Sequence, residues 1–149
     1  MTAFEPQDPA WKEKILDSFD RQGFMAYLHA RVTQAEPGRV VIEIPFDANL
    51  TQQHGLFHGG VTSSIADAAG GYAGYSLFPP DSSVLTVEFK INLLSPAKGE
   101  RLKAVATVIK PGRTLTICEL KVYAIEGAQE TLCAAGQQTL ICLAGKADR

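Results

Sequence analysis

Residues 54 to 76 read HGLFHGGVTSSIADAAGGYAGYS, two histidines and a glycine pair followed by Ala, Ser and Gly around a single carboxylate, Asp67. Gly59 and Gly60 fall where a helix would open, and the first N–H groups of a helix have no acceptor within it, so they suit a developing oxyanion. Two turns further on, Asp67 is placed to act as nucleophile or general base on the same bound group. An oxyanion donor and a carboxylate together point to acyl transfer. At about 100° per residue Asp67 lies nearly opposite the stripe of Val61, Ile65, Ala69 and Tyr72, on a face with Gly60, Ser63, Gly70, Gly71 and Gly74. Each interior glycine costs about 1 kcal/mol relative to alanine, so this face predicts close approach of another backbone or a slender ligand. The plainer alternatives are a solvated aspartate and a sheet that wraps the helix tightly.

Other chemistries lack their residues. His29, His54 and His58 show neither the HExxH nor the HxH arrangement of a metal site, and no GxSxG elbow or visible base serves Ser63 and Ser64. Cys118, Cys133 and Cys142 sit in apolar runs at spacings that fit neither zinc nor redox motifs, which predicts buried free thiols in a reducing compartment. The HGG glycines lack the length and the Lys-Ser/Thr ending of a phosphate-cradling loop. With 149 residues, a formal charge of -2 and 20% charged residues, the chain has room for one substantial core and no basic field to hold nucleic acid or an anionic membrane. Neither a signal core, an Arg-rich presequence nor a spanning segment is visible, so a cytoplasmic location is expected.

The elements that must position these residues follow from periodicity. PAWKEKILDSFD predicts a short amphipathic helix with Gly23 just past its end, forming with the first residues an extension over 1–23. RVVIEIPF alternates, and the PG at 37 and 38 predicts a hairpin turn. The HGG segment supplies the one long helix. SVLTVEFKINLLSPA places Leu85, Val87, Phe89, Ile91 and Leu93 on one face and Thr86, Glu88, Lys90 and Asn92 on the other. Three more strand-like runs follow, punctuated by PAKGE, KPGRT and EGAQE, with Gly136 suggesting a bulge in the last. Helix, hairpin, long helix and four strands make an α+β domain in which an antiparallel sheet covers a small-residue helix.

HGGVTSSIAD, TVEFKINLLSPAKGE, VIKPGRT and a closing strand near AAGQQTL occur in an order, over roughly residues 35 to 142, that resembles the PaaI-like hotdog-fold acyl-CoA thioesterases of the phenylacetate-degradation type. The resemblance implies a hotdog fold with a long central helix inside a curved antiparallel sheet. It also implies protomers paired edge to edge, active sites shared across the homodimer interface, and assembly of dimers into a tetramer. The implied reaction hydrolyses an acyl-CoA to free acid and CoA, with coenzyme A entering as part of the substrate and neither a separate cofactor nor a metal. On this resemblance Asp67 is the nucleophile or general base and the Gly59 N–H polarises the thioester carbonyl. Gln52 positions the thioester or the water, His58 shapes the pocket and Thr86 orients the water. The basic turn of Lys110, Gly112, Arg113 and Thr114 would face the pantetheine and nucleotide end of CoA, where Lys and Arg bind phosphate through charge-assisted bonds.

Each assignment has a plainer counterpart. His58 can cap the helix, Thr86 can be an ordinary β-branched strand residue, and KPGRT can be a solvated hairpin tip. Tyr72, Tyr75, Phe57 and Leu56 can line an acyl pocket or fill the core. Two other functions on the same fold are a non-catalytic acyl-CoA sensor and an acyl-thioester hydratase or dehydratase, the latter generally built on a His and carboxylate motif that this chain lacks.

Overall fold

The computed structural model describes residues 3–148. Helix α1 (Trp11–Asp20) forms where its spacing predicts and turns Ile15 and Phe19 inward. Gly23 does not simply follow its end. It opens a second short helix, α2 (Gly23–Tyr27), held down by buried Met25 and by Leu28 just beyond. The hairpin is β1 (Arg31–Glu36) and β2 (Arg39–Pro45), and Gly38 takes the left-handed φ of 78° that its turn requires. Helix α3 (Gly59–Tyr75) comes next, followed by β3 (Ser82–Leu93), β4 (Arg101–Lys110), β5 (Leu115–Glu126) and β6 (Gln129–Ala144).

The six strands form one antiparallel sheet in the order β1-β2-β4-β5-β6-β3, curled around α3, which packs on β2, β3, β4, β5 and β6. This is the hotdog fold. Because the sheet surrounds so much of the helix, α3 is buried well beyond one stripe, at Ile65, Ala66, Ala68, Ala69, Tyr72, Ala73 and Tyr75 among others. No described helix is long and apolar enough to cross a membrane.

The sheet also accounts for two of the glycines near Asp67. A Cβ on Gly70 would stand 1.7 Å from Gln138 Oε1 and 2.8 Å from Leu120 Cδ2, and one on Gly74 would stand 2.3 Å from Leu140 Cδ1. Close wrapping by β5 and β6 is therefore what those two positions serve. Gly71 has nothing within 4 Å of its would-be Cβ, and Gly60 meets only the His58 ring.

Strand β3 departs from the expected alternation. It pairs Thr86 with Leu140 and Glu88 with Thr139, so Val87 bulges out of the ladder. An extra residue in one strand shifts all subsequent side chains to the opposite face. Thr86 consequently shares the helix-facing surface with Phe89, Ile91 and Leu93, whose partners Gln138, Gly136 and Ala134 lie on that side, and Leu85 falls on the outer one. Gly136 makes no bulge. Its would-be Cβ lies 2.0 Å from the Lys90 carbonyl oxygen, so it admits the β3 backbone, while the irregularity between β5 and β6 falls near Cys133.

Candidate active site

The predicted residues assemble into two groups, one along each half of α3. At the helix N-terminus His58 is the capping residue, and its Nδ1 accepts the Gly60 N–H at 2.8 Å. Its backbone carbonyl takes the Val61 and Thr62 N–H groups at 3.0 and 3.1 Å. The Gly59 N–H has no acceptor among the described residues. The loop before it is pinned by Phe57 N–H to the Ala97 carbonyl at 3.0 Å and His58 N–H to the Leu50 carbonyl at 2.9 Å. Gln52 closes the same loop, accepting the His54 N–H at Oε1 and the Gly55 N–H at its carbonyl. Gln52, His58 and Gly59 line a cavity of about 430 Å3 with Leu56, Phe57 and Leu93. A Cβ on Gly59 would come within 2.8 Å of Leu93 Cδ1.

The second group surrounds Asp67. Thr86 Oγ1 donates to Asp67 Oδ1 at 2.7 Å, a contact that the bulge at Val87 makes possible by turning Thr86 toward the helix. Gln138 on β6 adds its Nε2, 2.5 Å from Asp67 Oδ1, 2.9 Å from Thr86 Oγ1 and 3.1 Å from the Asp67 carbonyl oxygen. Asp67 Oδ2 has no donor among the described residues, and the side chain borders a cavity of about 460 Å3 lined by Ser18, Gln22, Gly71, Tyr72, Val84 and Thr86, among others. Gln138 lies within the AAGQQTL segment, yet neither its residue type nor the resemblance marks it as part of the site. Its only signal was a polar residue at an inward position of an otherwise apolar closing strand.

Gln138 is 1% exposed, and its Oε1 is buried without a hydrogen-bond partner. A buried unpaired acceptor costs about 1–3 kcal/mol, so an apolar side chain there would serve packing better.

Along α3, Gly59 and Asp67 are eight residues apart, or about 12 Å at 1.5 Å per residue. Within one chain they therefore cannot address one carbonyl, contrary to the simple reading of the helix as a single constellation. The KPGRT turn lies elsewhere again. Gly112 and Arg113 line a third cavity, of about 330 Å3, with Leu77 and Phe78 beyond the C-terminal end of α3. The Gly112 N–H is taken by Thr116 Oγ1 at 3.3 Å and the Thr114 carbonyl by the Cys142 N–H. Lys110 and Arg113 are exposed and enter no ion pair among the described residues.

Of the candidate acyl-pocket residues, Tyr72 borders the cavity at Asp67, and Leu56 and Phe57 border the one at Gly59. The Tyr72 hydroxyl accepts from Gln22 Nε2 at 2.9 Å and lies 3.1 Å from Ser18 Oγ. Tyr75 belongs to the core, its hydroxyl donating to the Ser82 carbonyl at 2.9 Å. All three thiols are buried and free, and burial pushes Cys118 up to about 12 and Cys133 up to about 11. Thiols so protonated are poor nucleophiles.

Comparison with known proteins gives these groups a context. Residues 54–131 match the family described as the thioesterase superfamily. The crystal structure of a thioesterase family protein from Silicibacter pomeroyi is 47% identical and superposes with a TM-score of 0.89, covering 91% of this chain and 99% of that one. The proofreading thioesterase EntH of Klebsiella pneumoniae is 26% identical over 135 residues, 88% of this chain and 98% of its own length. The 1,4-dihydroxy-2-naphthoyl-CoA hydrolase of Escherichia coli is 23% identical over 137 residues, with 89% and 98% covered.

Proposed function

The chain belongs to the thioesterase superfamily, and from that premise we propose that it hydrolyses acyl-CoA thioesters in a site built from the Asp67 group of one protomer and the Gly59 group of its partner. The observation that carries this reading is the state of the carboxylate: Oδ1 is tied to Thr86 and Gln138, and Oδ2, beside a cavity, has no donor among the described residues. The name of the naphthoyl-CoA hydrolase supports a CoA thioester as substrate, and the order of the sequence motifs supports a place among PaaI-like members.

Edge geometry supports the pairing. β3 is an outer strand of the sheet, twelve residues long, and exposes Leu85, Val87, Phe89 and Leu93 at 57, 56, 41 and 61%. A long apolar free edge is a template for strand addition. Asp67 stands over Thr86, and Gly59 stands over Leu93 on the same strand. A two-fold axis near Phe89 and Lys90, with β3 antiparallel to the partner's β3, brings Thr86 and Asp67 of one chain opposite Leu93 and Gly59 of the other. The 12 Å separation within a chain is thereby replaced by proximity across the dimer. Pairing of such dimers into tetramers follows the family resemblance.

In the assembled site the thioester oxygen accepts the Gly59 N–H, Gln52 helps hold the thioester or the water, and the Asp67 carboxylate faces the carbonyl carbon. As general base, Asp67 takes a proton from water while the water oxygen bonds to that carbon. The oxyanion rests on Gly59, the C–S bond breaks, and the proton passes to the departing sulfur. As nucleophile, Asp67 bonds to the carbon itself, CoA leaves, and water opens the anhydride. Thr86 orients the carboxylate in both. His58 acts through the cap that aims Gly59. Lys110 and Arg113, in no ion pair among the described residues, offer cations to the CoA phosphates, with Gly112 and Thr114 shaping the turn.

The test follows thiol release from acetyl-, hexanoyl- and benzoyl-CoA by the wild type and Asp67→Asn. The expected loss in kcat is about 10²- to 10⁴-fold, and an equally active variant, or no turnover of any thioester by the wild type, overturns the proposal. Single-turnover hydrolysis in ¹⁸O water separates the two routes, since label enters Asp67 only through an anhydride.

A further inference from the structure

We propose that Gln138 is a positioning residue for the reaction, holding one carboxylate oxygen of Asp67 so that the other is presented to the substrate. The inference rests on the catalytic reading of Asp67 and goes beyond it, because nothing in the sequence motif or the family match singles out position 138.

A glutamine amide nitrogen has two hydrogens and can only donate. Here Nε2 has three acceptors around it: Asp67 Oδ1, the Asp67 carbonyl and Thr86 Oγ1. Thr86 gives its own hydrogen to Asp67 Oδ1, so its oxygen is open to receive one from Gln138. The three side chains form a directed network that converges on Asp67, at Oδ1 directly or through Thr86 and at its backbone carbonyl. That arrangement fixes the rotation of the carboxylate and restrains Oδ1. Oδ2 is left to the cavity.

The surroundings of the amide favour its nitrogen end alone. Its oxygen is buried with no donor among the described residues, a position where Leu or Met would avoid an unpaired acceptor. Room for that oxygen is made by Gly70, whose would-be Cβ lies 1.7 Å away, so α3 gives up a side chain to admit the amide. The register places Gln138 beside Phe89 on β3 and Cys118 on β5, beneath the middle of α3. It reaches Asp67 across 71 residues of sequence.

A structural role and a positioning role separate in a double-mutant cycle read with the same three acyl-CoAs. Gln138→Met should lower kcat roughly 10- to 100-fold, the loss expected for a buried bond to a charged group, and change KM by less than about threefold. In the Asp67→Asn background the same substitution should lower residual kcat by no more than about twofold, because the group it positions is gone. Equal losses in both backgrounds, a loss carried by KM, or none at all overturns the inference. An Asp67→Asn enzyme that keeps full activity instead rejects the catalytic reading, an outcome visible without any change at 138. Should Gln138→Met fail to fold, the side-chain amide of Gln138 is followed by ¹H–¹⁵N spectroscopy in the wild type. Its protons should exchange slowly and shift in Asp67→Asn, and rapid exchange or unmoved resonances would refute the contact.

Discussion

The two ends of the reactive constellation are built by opposite means. Around Gly59 the working group is a backbone N–H, and most of what aims it is local: the His58 cap, the Gln52 turn and the Leu50 carbonyl lie within a dozen residues, with the Ala97 carbonyl as a distant anchor. Around Asp67 the working group is a side chain, and what aims it comes from two distant strands, through Thr86 at a separation of 19 and Gln138 at 71. A backbone donor needs only a correctly ended helix. A carboxylate rotates about two bonds and needs donors held on other elements to stop it. The difference teaches that damage to what aims the N–H should be graded and repairable, whereas damage to what aims the carboxylate should be severe and specific.

The largest test asks whether the halves meet across chains. Asp67→Asn and Gly59→Pro should each be nearly inactive, the latter because proline fits the first position of α3 but removes the N–H itself. Co-expressed, they should regain about a quarter of wild-type activity, since about half of randomly paired dimers carry one intact site. Measured thiol release that stays at the level of the single variants would place both groups of a working site in one chain and end the comparison.

Adjacent glycines give the next effect. Gly70→Ala drives a methyl into Gln138 and Leu120, so it should cost kcat about as much as Gln138→Met. The helix-propensity gain of about 1 kcal/mol is offset by overpacking of about 1–3 kcal/mol. Gly71→Ala meets nothing within 4 Å and should raise stability by up to about 1 kcal/mol in urea unfolding. If the acyl group lies in the cavity that Gly71 lines, the same variant raises KM.

The contrast also explains what the sequence could convey. The HGG cap, the lone acid and the small-residue helix are visible because their logic is contained in the seventeen residues of α3 and the His58 that caps it. The run of strands was legible because each carries its own alternation and turn. The Val87 bulge was not, because Leu85, Val87 and Phe89 are all apolar and read as one face, and only pairing with β6 reveals the extra residue. Thr86 was reached through family resemblance while strand periodicity put it on the wrong side. Gln138 was invisible because its meaning depends on which helix residue the curled sheet sets above it. Gly70 is a close approach, as its helix face predicts, whereas Gly136 is a close approach and not the expected bulge, because local sequence does not say what approaches.

The smallest test bears on the repairable half. His58 is exposed, and its ring accepts one N–H that water can also satisfy once the ring is gone. His58→Ala should therefore cost about 0.5–1 kcal/mol in unfolding, with a several-fold fall in kcat as the Gly59 N–H loses definition. Asn is a strong capping residue whose carbonyl can receive the Gly60 N–H in place of Nδ1. His58→Asn should restore both stability and most of kcat, because what matters is the cap and not the imidazole. If Asn restores stability while kcat stays low, the ring itself touches the substrate, and the Gly59 end is then built by side-chain chemistry like its counterpart around Asp67.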